Sequence, residues 1–447
     1  MSPGPPRPSY QDLLDADSRP VPALLRERRA GDFGSGEIPV ERYLSRTLHE
    51  LEVERLWKRV WQMACREDDL PEVGDFVVYE IASLSVLVVR SAPGAIRAFP
   101  NACLHRGRQL KDRDGSCREL RCPFHGFTWS LDGALVSLPT PWDFPHVDRE
   151  ALALPELRVG SWGGFVFVNF DRGCSPLAEY LAGLDAQFAR WSLDRRWKQA
   201  HVAKRMRANW KVVQEAFMEA FHVVATHPQL LPGIGDTNSQ YDAYENFSRA
   251  ITANGTPSPE LARTPGEQEV FDAVTGRREG LPLPPLPDGA SARGALAAGM
   301  REALRPVCGS AAVDSLCDAE LVDSFYYTVF PNFHPWGAYN RITYRFRPDG
   351  DDPDRSIMEV MLLSPCREGE QPPPAPVHWL GEDDDWTQAP ELGALARIFN
   401  QDSGNIAQVQ RGLHALQRPG LTLSRSQETK IRHFHALWEK WVEPPAR

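Results

Sequence analysis

"CLHRGRQLKDRDGSCRELRCPFHGF", Cys103 to Phe127, decides how this chain is read. It holds Cys-x-His, sixteen intervening residues and Cys-x-x-His, with Gly107 and Gly126 just behind the histidines. Two thiolates and two imidazoles hold one zinc tetrahedrally, or a [2Fe-2S] cluster with both thiolates on one iron and both imidazoles on the other. Structural zinc sites usually pair like with like in each loop, whereas each loop here delivers one Cys and one His. A mixed loop reaches both irons of a cluster. Neutral imidazoles in place of two thiolates also remove negative charge, so the cluster accepts an electron more readily. Cys117, in the same stretch, reads as a spectator.

The flanks read as short strands: "GDFVVYEIA", "LSVLVVRS" and "IRAFP" before it, "GFTWSLDGALVSLP" and "GGFVFVNF" after it. Asp132-Gly133 predicts a hairpin turn. Together they predict a small antiparallel β domain over 41–165, entered through a helix with Leu48, Leu51, Leu56, Trp57 and Val60 at helical spacing. Residues 1–40 are proline-rich and polar, and read as a draped or poorly ordered arm. Residues 166–447 mix helix and strand patterns, giving a larger α+β domain; 251–320, rich in Gly, Pro, Ala and charge, reads as a lid or mobile insertion.

The paired loops resemble those of Rieske non-heme iron ring-hydroxylating oxygenases, oxygenase α subunit: "CLHRG" and "CPFHGF" match C-x-H-R-G and C-P-[YF]-H-G-[WF]. The resemblance implies Cys103, His105, Cys122 and His125 as ligands of a [2Fe-2S] Rieske cluster. Four residues depart from frequent choices: Phe124 and Phe221 stand where Tyr is frequent, Phe127 where Trp is, and Glu215 where some relatives carry Asn.

An electron carrier alone needs no second domain. "NWKVVQEAFMEAFHVVATHPQ" predicts a helix from Asn209 to Val224, with Glu215, Glu219 and His222 on one stripe and Trp210, Val213, Phe217 and Val224 opposite. His227 follows, and Pro228 ends the helix. In "ALARIFNQDSGNIAQVQRGL" an apolar seam runs Leu395, Phe399, position 402, Ile406, Val409, Leu413, and position 402 is Asp. A carboxylate in a buried seam is costly unless a cation or metal meets it. His222, His227 and Asp402 form a candidate two-His, one-carboxylate site, which leaves coordination positions open on Fe(II). The family's N-W-K…E-x-[YF]-H-x(4)-H and late Q-D…Q segments match at Asn209 to His227 and at Gln401 to Gln410.

The resemblance implies more. Glu219 matches a carboxylate that bridges a cluster histidine of a neighbouring subunit to an iron histidine, so a homotrimer is expected, with or without a small β subunit. The catalytic domain is expected to be helix-grip, START-like. Electrons are expected from NAD(P)H through a separate reductase, with or without a ferredoxin, to hydroxylate, and by expectation dihydroxylate, an aromatic or hydrophobic substrate with O2. Monooxygenation or oxidative demethylation on the same scaffold is the alternative. A separate reductase agrees with the lack of a G-x-G-x-x-G fingerprint.

Composition narrows the field. With 42% hydrophobic and 25% charged residues the chain is globular, and a formal charge of −10 with scattered Lys and Arg argues against nucleic acid. Eight cysteines are too sparse for a disulfide framework; with no apolar leader or spanning run, a cytoplasmic protein without membrane contact is expected. His433 and His435 read as members of a surface or packing helix and His334 as structural or pocket-lining. Glu382 to Asp385 reads as a solvated acidic turn, and the proline runs at 282–287 and 372–376 as loops. Two other classes stay open: a Rieske electron carrier without the iron site, and a zinc-stabilised binding protein.

Overall fold

The computed structural model describes residues 9–276, 285–370 and 372–443. The strand Leu84–Ala92 organises the amino-terminal half. Because side chains alternate across a strand, Leu87 and Val89 enter the core beneath the cysteine loops, whereas Val86 and Val88 enter a second core with Trp57, Trp210 and Trp438. One strand thus separates the cluster module from the core it shares with the catalytic half. Its sheet runs Ala95–Pro100, Leu84–Ala92, Asp75–Ile81, Gly115–Ser116. The strands Leu120–Arg121, Thr128–Trp129 and Leu135–Ser137 form a second small sheet, turned at Asp132-Gly133 with Gly133 at φ +88°.

The catalytic half is built on eight strands in the order Gln240–Ala243, Phe247–Thr252, Ser324–Val329, Phe333–Pro335, Ile342–Pro348, Ser356–Pro365, Arg196–Met206, His378–Leu380. All neighbours are antiparallel except the last pair. One face packs Phe325, Tyr327 and Val329 into a core that also takes Tyr10, Leu14 and Leu25 from the arm. The other face meets the helices Trp210–Glu215 and Thr429–Val442. The α+β class, with a β cluster module beside a larger sheet gripped by helices, is as expected. Where described, from residue 9 on, the arm is draped over the catalytic half and tied to it: Tyr10 Oη donates to Asp323 at 2.9 Å.

Several expectations need correction. The strand Phe165–Asn169 pairs with Gln62–Arg66, so the boundary set at 165 falls inside a sheet of the amino-terminal half. The helix expected from Asn209 to Val224 is broken into Trp210–Glu215 and Val223–Thr226. Between them the His222 N–H goes to the Glu219 carboxylate at 2.9 Å and the Ala220 N–H to the Tyr241 hydroxyl at 3.2 Å, so neither serves a helical ladder. Segment 251–320 is largely helical where described, with Glu267–Val274, Ala292–Cys308, Ser310–Asp314 and Asp318–Val322. Arg293 and Arg301 of its longest helix pair with Asp323 and Asp318, which pins it to the helix Asp318–Val322 and the start of the strand Ser324–Val329. The first proline run lies partly outside the described residues. The acidic turn is tied down, since the carbonyls of Gly381, Glu382 and Asp384 all accept from Lys204 Nζ. His433 and His435 are buried on the packing helix Thr429–Val442. Among the described residues no helix is long and apolar enough to cross a membrane.

Candidate metal centres

The two cysteine loops close alike. Cys103 N–H donates to the Arg108 carbonyl at 2.8 Å and Gly107 N–H to the Cys103 carbonyl at 2.9 Å; Cys122 and Gly126 repeat this with Phe127 at 2.8 Å and Cys122 at 3.1 Å. Gly107 and Gly126 sit at φ +75° and +83°, where a side chain would be strained. The repeat brings the His105 and His125 rings to 4.7 Å between centroids and buries both cysteines. Phe127 lies stacked on His105 at 4.6 Å, filling the place where relatives often have Trp.

His105 Nδ1 is buried and has no hydrogen-bond partner among the described residues, as an atom free to bind a metal would be. Burial raises the pKa of the Cys103 thiol, against N–H groups of His105 and Arg106 that favour the thiolate, and the Cys122 thiol beside it raises it further. A metal ion is what would hold two adjacent buried sulfurs as thiolates. The residues present therefore fit a cluster with mixed ligation.

The second centre is assembled from two remote helices. Asp402 comes from the helix Leu395–Ala415, buried between Phe399 and Ile406 as the seam required. The seam differs at one position: Val409 is exposed and Gln410 is buried instead. His222 and His227 flank the short helix Val223–Thr226. Single ligand atoms of His222, His227 and Asp402 lie within 4.8 Å of one another. Asp402 Oδ1 is 2.8 Å from His227 Nε2 and 3.6 Å from His222 Nε2.

Both imidazoles are held by their other nitrogen, which decides which atom faces a metal. His222 Nδ1 donates to Glu219 at 2.7 Å, and His227 Nδ1 to Gln401 Oε1 at 2.8 Å. The Nε2 atoms are left converging on Asp402. Burial lowers the His222 pKa, but the hydrogen bond and charge of Glu219 and the charge of Asp402 outweigh it and leave it above the ordinary value. A pocket of about 270 Å³ opens beside His222, lined by Glu215, Glu219, Asp402 and Glu428 among others. No hydrogen bond, ion pair or ring contact among the described residues joins residues 101–154 to the triad.

Sequence reasoning placed the triad and missed what supports it. Gln401 was legible only as the neighbour of Asp402 in Q-D. Glu52 carried no signal, yet its carboxylate takes Trp210 Nε1 at 2.9 Å, Lys211 Nζ at 2.5 Å and Trp438 Nε1 at 2.7 Å. Asn209 caps the first helix by accepting from Lys211 N at 3.0 Å, and its own N–H goes to Gln410 Oε1 at 3.0 Å. Glu215 is turned from the expected stripe toward His435 at 2.9 Å and Tyr43 at 3.1 Å. His334 is buried on the inner sheet face, bonded to Thr328 at 3.2 Å.

A β module with paired Cys/His loops beside a two-His, one-carboxylate pocket defines a two-centre iron protein. The profile "Ring hydroxylating alpha subunit (catalytic domain)" matches residues 186–444, and "Rieske [2Fe-2S] domain" matches residues 60–148. The first covers more than half of the chain, which belongs to the ring-hydroxylating α-subunit family. That family carries a Rieske cluster and a mononuclear iron, which removes the zinc reading. The glycine betaine monooxygenase oxygenase subunit of Pseudomonas aeruginosa is 29% identical over 226 residues, 50% of this chain and 51% of that protein. The anthranilate 1,2-dioxygenase large subunit of Acinetobacter baylyi is 31% identical over 188 residues, 40% of each. The chain spans about half the length of the curated relatives it matches. A solved quaternary ammonium Rieske monooxygenase, studied for carnitine oxidation by gut microbiota, shares the fold: TM-score 0.65 at 18% identity, covering 93% of this chain and 100% of that one.

Proposed function

We propose that the chain is the terminal oxygenase subunit of a multicomponent Rieske system, and that it mono-oxygenates an N-methylated ammonium compound. Convergence of His222, His227 and Asp402 from two remote helices carries the oxygenase part. A carrier without substrate chemistry has no use for that convergence. The glycine betaine relative and the quaternary ammonium monooxygenase fold favour the N-methyl substrate over the ring dihydroxylation expected from sequence. Ring dihydroxylation remains the second reading, supported by the anthranilate 1,2-dioxygenase relative.

Cys103, His105, Cys122 and His125 would hold the cluster, and His222, His227 and Asp402 the iron. When bound, the cluster supplies single electrons and the iron a place where O2 is reduced beside substrate. The chain's own residues do the positioning. Glu219 and Gln401 keep both Nδ1 protons, so both Nε2 lone pairs stay aimed at one point. Phe217, packed 5.1 Å from Tyr344 and 6.1 Å from Phe399, helps exclude water from the triad's inner side. Glu219 is nine-tenths buried at the pocket beside His222, and a neighbouring subunit's cluster histidine approaching there would complete the electron path. The partners are a reductase, with or without a ferredoxin, and two further copies of the chain.

The overall change takes one N-methyl, O2, two electrons and two protons to an N-hydroxymethyl group and water; the N-hydroxymethyl then releases formaldehyde and the demethylated amine. Metal and sulfide analysis should give about three irons and two acid-labile sulfides per chain. One turnover of the reduced protein with ¹⁸O2 should then yield formaldehyde and demethylated amine from an N-methyl substrate. Two ¹⁸O atoms in one arene product would establish the second reading instead.

A further inference from the structure

The inner sheet face behind the triad carries buried polar groups that the protein leaves short of partners. The register pairs Ser248 with Thr328, Ala250 with Tyr326 and Tyr344 with His334, so all six share this face. Ser248 Oγ, Gln214 Nε2 and Trp336 Nε1 are buried with no hydrogen-bond partner among the described residues. Gln214 descends from the helix Trp210–Glu215 and is wholly buried, with His334 Nε2 3.2 Å from its Oε1. From the opposite helix comes Lys430, also wholly buried. Its Nζ has three donors but among the described residues donates only to the Tyr326 carbonyl at 2.9 Å, and it sits 4.5 Å above the Tyr326 ring centroid.

These groups stand around one run of rings. Tyr326 lies 5.4 Å from Trp336, Trp336 6.1 Å from Tyr344, and Tyr344 5.1 Å from Phe217. Burial, with the charge of Asp402, raises the Tyr344 phenol well above its usual pKa, which places that ring within reach of the triad's field. None of Gln214, Lys430, Trp336 and Ser248 lines the pocket beside His222. An interior lysine with one hydrogen bond and no ion pair among the described residues, together with an unpaired amide and indole N–H, is costly, and such groups persist where a ligand completes them.

We infer that Lys430, Gln214 and Trp336 form an anion subsite for the carboxylate of the substrate, while the Tyr326, Trp336 and Tyr344 rings pack along the rest of it toward the triad. The inference rests on the triad being the reacting centre, and it adds a carboxylate to the substrate class. Ammonium methyl groups suit such ring faces, and so does an arene. Burial lowers the Lys430 pKa well below the usual value, with the charge of Glu219 opposing. His334 and Tyr326 on the sheet and His433 on its own helix also face Lys430. An arriving carboxylate supplies the counter-charge, and Lys430 takes up a proton.

Calorimetric titration of the cluster- and iron-loaded protein tests this with glycine betaine, L-carnitine and anthranilate against their carboxylate-free counterparts choline and aniline. The carboxylates should bind at least tenfold tighter, with proton uptake seen as a buffer-dependent enthalpy. Lys430→Met should erase both the preference and the uptake without lowering the melting temperature; Lys430→Arg should restore part of the preference, and Gln214→Leu should weaken it. Unchanged carboxylate affinity in folded Lys430→Met overturns the subsite, as does equal binding of choline and aniline, or no binding by any of the five. A large fall in melting temperature with metal loss in both Lys430 variants would make Lys430 structural and also overturn it. Asp402→Ala separates the two readings: if iron is retained there, the triad is wrong whatever Lys430 does.

Discussion

His227 shows how much a single neighbour decides. Its ring has two nitrogens, and only the bond from Nδ1 to Gln401 Oε1 at 2.8 Å turns Nε2 toward Asp402. Gln401→Leu should lower iron affinity about 10- to 100-fold, as loss of such an orienting partner does. Iron titration with the cluster spectrum as internal control reads this; equal affinity would dismiss Gln401 as a bystander. His433 makes a second case at this scale. Burial pushes its pKa down to about 4, against bonds to the Tyr244 and Glu245 carbonyls that favour the charged ring. A depressed pKa stabilises the fold fully above the unfolded histidine value near 6.5, and that contribution, about 3 kcal/mol, is lost as pH falls toward 4. Melting temperature should therefore drop more steeply between pH 7 and 4.5 in the native protein than in His433→Leu; parallel profiles would refute the assignment.

Elements carry the next level, and the Asn209-Trp210-Lys211 turn is the clearest. All three side chains are spent on anchoring: Asn209 on its cap, Trp210 and Lys211 on the buried Glu52. Burial lowers the Lys211 pKa and Glu52 opposes that, so removing Glu52 leaves an uncompensated ammonium. Glu52→Ala should cost about 3–5 kcal/mol, and Lys211→Met added to it should recover part. Denaturant titration of the three proteins measures this, and a fully additive double mutant would deny the pairing. The helix Leu395–Ala415 supplies the converse. Its seam wants an apolar residue at 402, so Asp402→Leu should fold at least as stably as the native chain while about one iron per chain is lost and the cluster remains.

At the scale of the molecule, the strand Leu84–Ala92 fixes the cluster loops on one side of a shared core and leaves the triad on the other half. Exposed Leu104 and Phe124 flank the histidines of the loops, and exposed Phe221 and Val409 lie beside the triad. Apolar residues left at both rims suit a copy-to-copy contact, and the Glu219 reading requires one. Co-expressed Cys122→Ser and Asp402→Ala chains should regain turnover that neither has alone, in a particle three times the mass of one chain. A hybrid as dead as its parents would confine electron flow to one chain.

By itself the sequence determined the α+β class, the paired Cys/His loops and the buried Asp in its seam. Those depend on short spacing and on periodicity, which neighbours along the chain carry. The unbroken helix to Val224 was misread because Tyr241 and the Glu219 carboxylate, not the local pattern, claim the N–H groups of Ala220 and His222. The order of the described part of 251–320 was likewise hidden, since its longest helix is held by ion pairs of Arg293 with Asp17 and Asp323 and of Arg301 with Asp318, which no local periodicity announces. The bond from His227 to Gln401, and Glu52 and Lys430 altogether, became visible only in the fold, because a buried polar side chain acquires meaning from the partner it meets or lacks, and tertiary structure alone chooses that partner.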